Sequence, residues 1–244
     1  MTGRLELTNV SVAFEAIEVI RNLSLTIPEG EFVAIVGPSG CGKTTLLNLL
    51  AGFERPSAGS IGCQGRVRMV YQEDGLFPWA TVTENIELGL RHIADRRERK
   101  RQVGELLKII HIEGFEHHYP RQLSGGMRQR VELARALAGG SDILLLDEPF
   151  SALDYLTRLR MRSELARVLR EMPRTAVLVT HDIEEAAQLA DRVVVLTQRP
   201  ARIRHEFTIS TPRPREPTDF AVVDAVRRIL AELDVESGTE ASTK

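Results

Sequence analysis

Gly37-Pro38-Ser39-Gly40-Cys41-Gly42-Lys43-Thr44 matches the pattern G-x-x-x-x-G-K-[ST]. An apolar run, Phe32 to Val36, precedes it, and a helical run, Thr45 to Leu50, follows. Strand, glycine-rich loop and helix in that order form the context in which the motif holds phosphate. Glycine lets the backbone turn tightly enough for successive N–H groups to converge on an anion. The helix behind the loop adds the positive end of its dipole. All eight loop residues and Thr45 are therefore candidate ligands of a nucleoside triphosphate. Lys43 is placed to reach the β- and γ-phosphate oxygens, and the Thr44 hydroxyl to hold Mg²⁺.

Towards the N-terminus, Leu5, Leu7, Val10, Val12 and Phe14 alternate with polar residues, which predicts strands as far as about Ile27. Pro28-Glu29-Gly30 reads as a turn. On the other side of the loop, Gly52 is a candidate helix C-cap. Pro56 to Gly65 reads as a turn-rich link, and Arg66 to Tyr71 as a strand ending at Gln72. From Thr81 to about Gly140 the character is helical. Thr81-Val82-Thr83-Glu84 fits a capping box, Arg91 to Arg101 a solvated helix face, and Ser124 the cap of a helix that Gly139-Gly140 stops. Asp142 to Leu146 and Ala176 to Thr180 suit buried parallel strands, with Leu156, Leu159, Leu165 and Leu169 on one side of the helix between them. Val193 to Leu196 and Ile203 to Phe207 close the sheet. Pro212, Pro214 and Pro217 lead to a last amphipathic helix carrying Phe220, Val223, Val226, Leu230 and Leu233.

The expected architecture is α/β: a P-loop NTPase core with an N-terminal antiparallel β-subdomain and an inserted α-helical subdomain at about 75–140. The nucleotide-binding unit is expected over 1–207, and a linker and helix over 208–244. Composition fits that picture, with 43% hydrophobic and 27% charged residues in 244. A net charge of −2 argues against a nucleic-acid partner. The two cysteines, Cys41 and Cys63, fit reduced thiols of a cytosolic setting. Neither a secretion signal nor an apolar run of the roughly 18–20 residues that span a bilayer is evident. Work at a membrane is expected to go through partners.

Two further motifs carry chemistry. Ile143-Leu144-Leu145-Leu146-Asp147-Glu148 is an apolar strand ending in two carboxylates. Asp147 is placed to bind Mg²⁺ through its water shell and Glu148 to polarise an attacking water; without a phosphate loop upstream, such acids read as helix caps. Leu123-Ser124-Gly125-Gly126-Met127-Arg128-Gln129 offers a hydroxyl and free N–H groups at a helix start, a second anion site. Taken alone, Ser-Gly-Gly there is only a cap.

Together these motifs resemble the ATP-binding subunit of ABC transporters. With Gln72, Asp154 and His181 the likeness runs from about Leu5 to Phe207. Met127 stands where many members have glutamine. The resemblance implies that Phe14 stacks on adenine, the plainer reading being a core phenylalanine. It implies that Gln72 touches Mg²⁺ and the attacking water, that Ser151-Ala152-Leu153-Asp154 crosses a subunit boundary, and that His181 contacts the γ-phosphate. It further implies a head-to-tail pair of identical subunits with ATP and Mg²⁺ sandwiched between them. Ser124, Gly125 and Gly126 of one copy then complete the site that Lys43, Thr44, Gln72, Asp147, Glu148 and His181 form in the other. The remaining partners implied are transmembrane permease subunits and, through them, a solute-binding protein. The place implied is the cytoplasmic face of the inner membrane, as a peripheral subunit.

Within the family, Gln72-Glu73-Asp74-Gly75-Leu76-Phe77-Pro78-Trp79, Thr83-Glu84-Asn85-Ile86 and Gln198-Arg199-Pro200-Ala201-Arg202-Ile203 are similar to the nitrate, sulfonate and taurine importers. A sulfonate or taurine is the first expectation for the solute, then nitrate, then a pyrimidine or thiamine precursor. Phe77 and Trp79 either grip a helix of the permease or pack inside the helical subdomain. Rival classes are weaker. Ribosome-acting relatives usually carry two cassettes, DNA-repair relatives a long coiled coil, and a non-hydrolysing switch would not need both Glu148 and His181.

Overall fold

The computed structural model describes residues 3–71 and 75–240. Two long antiparallel strands open the chain, β1 (Arg4–Phe14) and β2 (Ile17–Ile27), burying Leu5, Leu7, Val10 and Val12 at the positions their alternation predicts. A third strand, β4 (Ala58–Gln64), pairs with the other edge of β1, giving the order β2-β1-β4. This strand lies within the stretch read as a turn-rich link. Its sequence, Ala-Gly-Ser-Ile-Gly-Cys-Gln, has no alternation of large apolar residues because it is an exposed edge held by backbone pairing to β1.

The second sheet has six strands in the order β5-β6-β7-β3-β8-β9. Its members are β3 (Phe32–Val36), β5 (Val67–Val70), β6 (Ile143–Asp147), β7 (Thr175–Val179), β8 (Arg192–Leu196) and β9 (Ile203–Thr208). All pairings are parallel except that of β9 with β8. Continuous apolar runs such as Leu144-Leu145-Leu146 belong to such a sheet because both faces are covered. Phe32, Ala34, Leu144 and Leu146 face the helical side, whereas Val33, Ile35, Ile143 and Leu145 face the antiparallel sheet. Helix α1 (Lys43–Ala51) lies on that second side and ends at Gly52, which is left-handed as a C-cap requires.

The helical segment comprises α2 (Val82–Gly89), α3 (Arg96–Ile109) and α4 (Gly125–Ala138). The Thr81–Glu84 capping box is formed in full, and Ser124 Oγ accepts the Met127 N–H at 3.2 Å. The charge-dense stretch divides: Asp95 caps α3, and only the part from Arg96 onward is helix. Then come α5 (Tyr155–Glu171), α6 (Ile183–Leu189) and α7 (Phe220–Glu240).

Two helix faces differ from expectation. In α5 the buried positions are Met161, Arg162, Leu165, Ala166, Val168 and Leu169, while Leu156 in the first turn is exposed. In α7, Val222, Ala225 and Ile229 are buried, with Val226 and Leu233 packed beside them; Phe220, Val223 and Leu230 are exposed. Ion pairing of Glu232 with Arg204 and the stacking of Arg228 on the Phe207 ring, 4.3 Å from its centroid, hold α7 in this rotation. Among the described residues no helix is long and apolar enough to cross a membrane.

Candidate active site

Strand β3 runs directly into the phosphate loop, which turns on Gly40 (φ 74°) and Gly42 (φ 115°). Gly42 is required twice: its φ is left-handed, and an added Cβ would lie 2.7 Å from Val19 Cγ1. The Lys43 ammonium folds back into the loop and donates to the carbonyls of Gly37 (2.8 Å) and Pro38 (2.9 Å). A buried cation held by loop carbonyls, with the Asp147 carboxylate within electrostatic reach, is suited to a triphosphate, whose oxygens would replace or join those carbonyls. Cys41 turns its thiol into the apolar core and offers the site only backbone.

Beside the loop lies an open cleft of about 430 Å³. Ser39, Gly40, Gly42, Lys43, Thr44, Thr45 and Glu148 line its polar part; Phe14, Ile17 and Val19 line its apolar part. Phe14 is 43% exposed, which removes the core-phenylalanine reading and leaves a ring available to a flat base.

Strand β6 brings the acids to the same place. Thr44 Oγ1 lies 3.5 Å from Asp147 Oδ1. Burial pushes the Asp147 carboxyl above its ordinary range, and the Glu148 charge adds to that, against the Thr44 hydrogen bond. A hydroxyl and a buried carboxylate are the hard oxygen donors that suit Mg²⁺, which keeps part of its water shell. Glu148 takes a left-handed backbone (φ 47°), unusual outside glycine. Its N–H donates to Val179 O at 2.9 Å, and its carbonyl receives Gln129 Nε2 (3.2 Å) and Ser151 Oγ (3.0 Å). Gln129 also accepts the Ala152 N–H through Oε1 at 3.2 Å, so one side chain of α4 secures the whole turn after Glu148. His181, just beyond β7, places Nδ1 3.0 Å from Glu148 Oε1.

Thus Phe14, the loop, Thr44, Asp147, Glu148 and His181 converge. Ser124, Gly125, Gly126 and Asp154 do not line this cleft: Ser124 caps α4 and Asp154 caps α5, accepting the Thr157 N–H at 3.0 Å. Gln72 lies outside the described residues, with Glu73 and Asp74.

Two features escaped the sequence reading. Arg199, from the turn between β8 and β9, reaches the loop and joins the cleft lining. A buried network follows His181: Asp182 pairs with Arg158 (3.0 Å) and Arg162, and Thr180 Oγ1 bonds Glu185. On the helical segment, Trp79 is 73% exposed beside Phe77, their ring centroids 5.2 Å apart. With Arg66, Arg68, Leu88 and Arg91 they line a groove of about 840 Å³. That exposure rules out packing of Trp79 inside the helical segment.

A strand–loop–helix phosphate site, with two carboxylates at the end of a parallel strand one place removed in the same sheet, defines a P-loop ATPase with an inserted helical segment. Comparison narrows this class. Residues 20–151 match the family model described as ABC transporter. An aliphatic sulfonates import ATP-binding protein of Granulibacter bethesdensis is 48% identical over 242 residues, covering 99% of each chain. One from Shouchella clausii is 44% identical, covering 93% of this chain and 90% of its own. A taurine import ATP-binding protein of Pelagibacter ubique is 42% identical, covering 80% and 77%. Among solved structures, the dimeric structure of a bacterial ABC transporter cassette superposes with a TM-score of 0.77 at 33% identity, covering 85% of this chain and 99% of that one. The chain belongs to the ABC transporter family and is an ABC-type ATP-binding subunit.

Proposed function

We propose that this subunit hydrolyses ATP to drive uptake of a small organic sulfonate, an aliphatic sulfonate or taurine. It does so as a head-to-tail pair attached to a permease at the cytoplasmic face of the membrane. The observation that carries the reading is the division of the motifs. Lys43, Thr44 and Glu148 line one cleft, with Asp147 against Thr44 and His181 against Glu148, while the Ser124-Gly125-Gly126 donors open elsewhere and need a second copy to meet a γ-phosphate. The sulfonate and taurine import relatives, similar over most of their length, support the solute class.

In the closed pair, loop N–H groups and Lys43 neutralise the phosphate chain. Glu148, held by its strained turn and by His181, orients water for in-line attack and takes its proton. Mg²⁺ would sit between Thr44, Asp147 and, by the family likeness, Gln72, supplying charge compensation at the phosphates. Phe14 stacks on the base. Asp154 lies on the boundary between copies. The groove around Phe77 and Trp79 takes the permease, and a solute-binding protein delivers cargo to that permease.

The test is growth and uptake. A strain lacking this chain should lose growth on an alkanesulfonate or taurine as sole sulfur source, with loss of labelled sulfonate uptake, and regain both on complementation. Loss of nitrate or pyrimidine-precursor uptake with sulfonate uptake intact would reassign the solute. Purified protein that neither binds nor hydrolyses ATP alongside its permease would overturn the reading.

A further inference from the structure

Arg199 lies in a segment similar to the importers but in none of the phosphate, carboxylate or Ser-Gly-Gly motifs, and the fold brings it to the nucleotide cleft. The turn that carries it is fixed from two sides. Ala201 donates to Val19 O (2.8 Å) and accepts the Arg21 N–H (3.1 Å), tying the turn to β2, while Arg202 N–H donates to Thr197 Oγ1 at 3.0 Å. From that base the guanidinium extends over the phosphate loop. Its Nε and Nη2 both donate to Gly40 O, at 3.2 and 2.6 Å. Arg199 lines the same cleft as Lys43, Phe14 and Val19.

Two N–H groups on one carbonyl leave three more on the same planar fork, carried by a group that is charged at every physiological pH. The other cleft-lining cation, Lys43, is buried and tied to the carbonyls of Gly37 and Pro38. A triphosphate brings several negative charges, and an exposed arginine already anchored to the loop meets them without the entropy loss of ordering a free side chain. We propose that Arg199 is a nucleotide-binding residue: anchored on Gly40, it adds a second positive charge at the rim of the cleft and donates to the phosphate chain. This rests on the reading that the cleft receives a nucleoside triphosphate.

The experiment is calorimetric titration of the full chain with ATP and with ADP, in EDTA, at 50 and 300 mM NaCl, for wild type, Arg199→Gln and Arg199→Lys. A charge-assisted contact predicts that R199Q weakens both nucleotides on the order of tenfold at low salt. The ratio to wild type should shrink at high salt as the lost charge is screened, and R199K should recover part of the affinity. R199Q within twofold of wild type at both salts would overturn the proposal. So would a loss of equal size at both salts that R199K does not relieve, because that marks a neutral staple of the loop. If R199Q does not fold, R199K alone decides: affinity lost partly and in a salt-dependent way supports the contact, and affinity within twofold of wild type at both salts refutes it. Wild type that binds neither nucleotide would sink the parent reading instead.

Discussion

Replacing Glu185 by glutamine tests the buried network behind His181. Glu185 is 3% exposed; its Oε2 accepts from Thr180 Oγ1, and its Oε1 is buried without a protein hydrogen-bond partner. Burial raises its carboxyl from 4.5 to about 7; the Thr180 hydrogen bond and Arg162 and Arg158 oppose that, while Asp182 reinforces it. Below pH 4.5 folded and unfolded chains both carry the proton. Between 4.5 and about 7 only the folded chain keeps it, so unfolding releases a proton and stability falls as pH rises. Above pH 7 the loss is complete. At about 1.4 kcal/mol per pH unit, the window amounts to about 3 kcal/mol. Glu185→Gln keeps the volume and the acceptor for Thr180 but cannot ionise. Its stability relative to wild type should therefore improve by about 3 kcal/mol between pH 4.5 and pH 8. Urea denaturation of both proteins across that range measures it, and other groups that titrate there cancel in the difference. A wild-type-minus-variant difference that is flat with pH would refute the reasoning.

Glu148→Gln should retain ATP affinity, lose turnover by about 100-fold or more, and accumulate as an ATP-bound dimer on size-exclusion chromatography; hydrolysis at the wild-type rate would show another base. Lys43→Ala should weaken ATP binding about tenfold or more by calorimetry, and unchanged affinity would count against the loop as the phosphate site. Gly89→Ala places a Cβ 2.4 Å from Arg135 O, where α2 crosses α4, and should cost about 1–3 kcal/mol in denaturation. A variant as stable as wild type would mean that this crossing gives way easily.

What the sequence disclosed, and what it hid, follows from the range of the signals. The phosphate loop, the Thr81 box, the Ser124 cap and the apolar strands are short-range patterns, and each forms where the residues place it. Strand β4 was hidden because an edge strand of mostly small residues, with Ile61 its one large apolar side chain, gains its pairing from β1 and not from its own alternation. The rotation of α7 was hidden because apolar residues cover more than half its circumference, and the choice among them is made by Arg204 and Phe207, far away in the chain. Arg199 and Glu185 were illegible for a related reason. A lone arginine in a proline turn and an acid in Ile183-Glu184-Glu185-Ala186 both look like solvated surface until the fold buries one and leans the other on Gly40.

Gln129 deserves a last consequence. Because its amide grips both the carbonyl of Glu148 and the N–H of Ala152, α4 cannot slide or rotate without either dragging that backbone along or breaking two bonds. Arg135, on the same helix, stacks over Phe77 and holds the Gly75 carbonyl at 2.9 Å. A push on the Phe77 side would thus reach, through the length of one helix, the backbone of the carboxylate proposed to orient water.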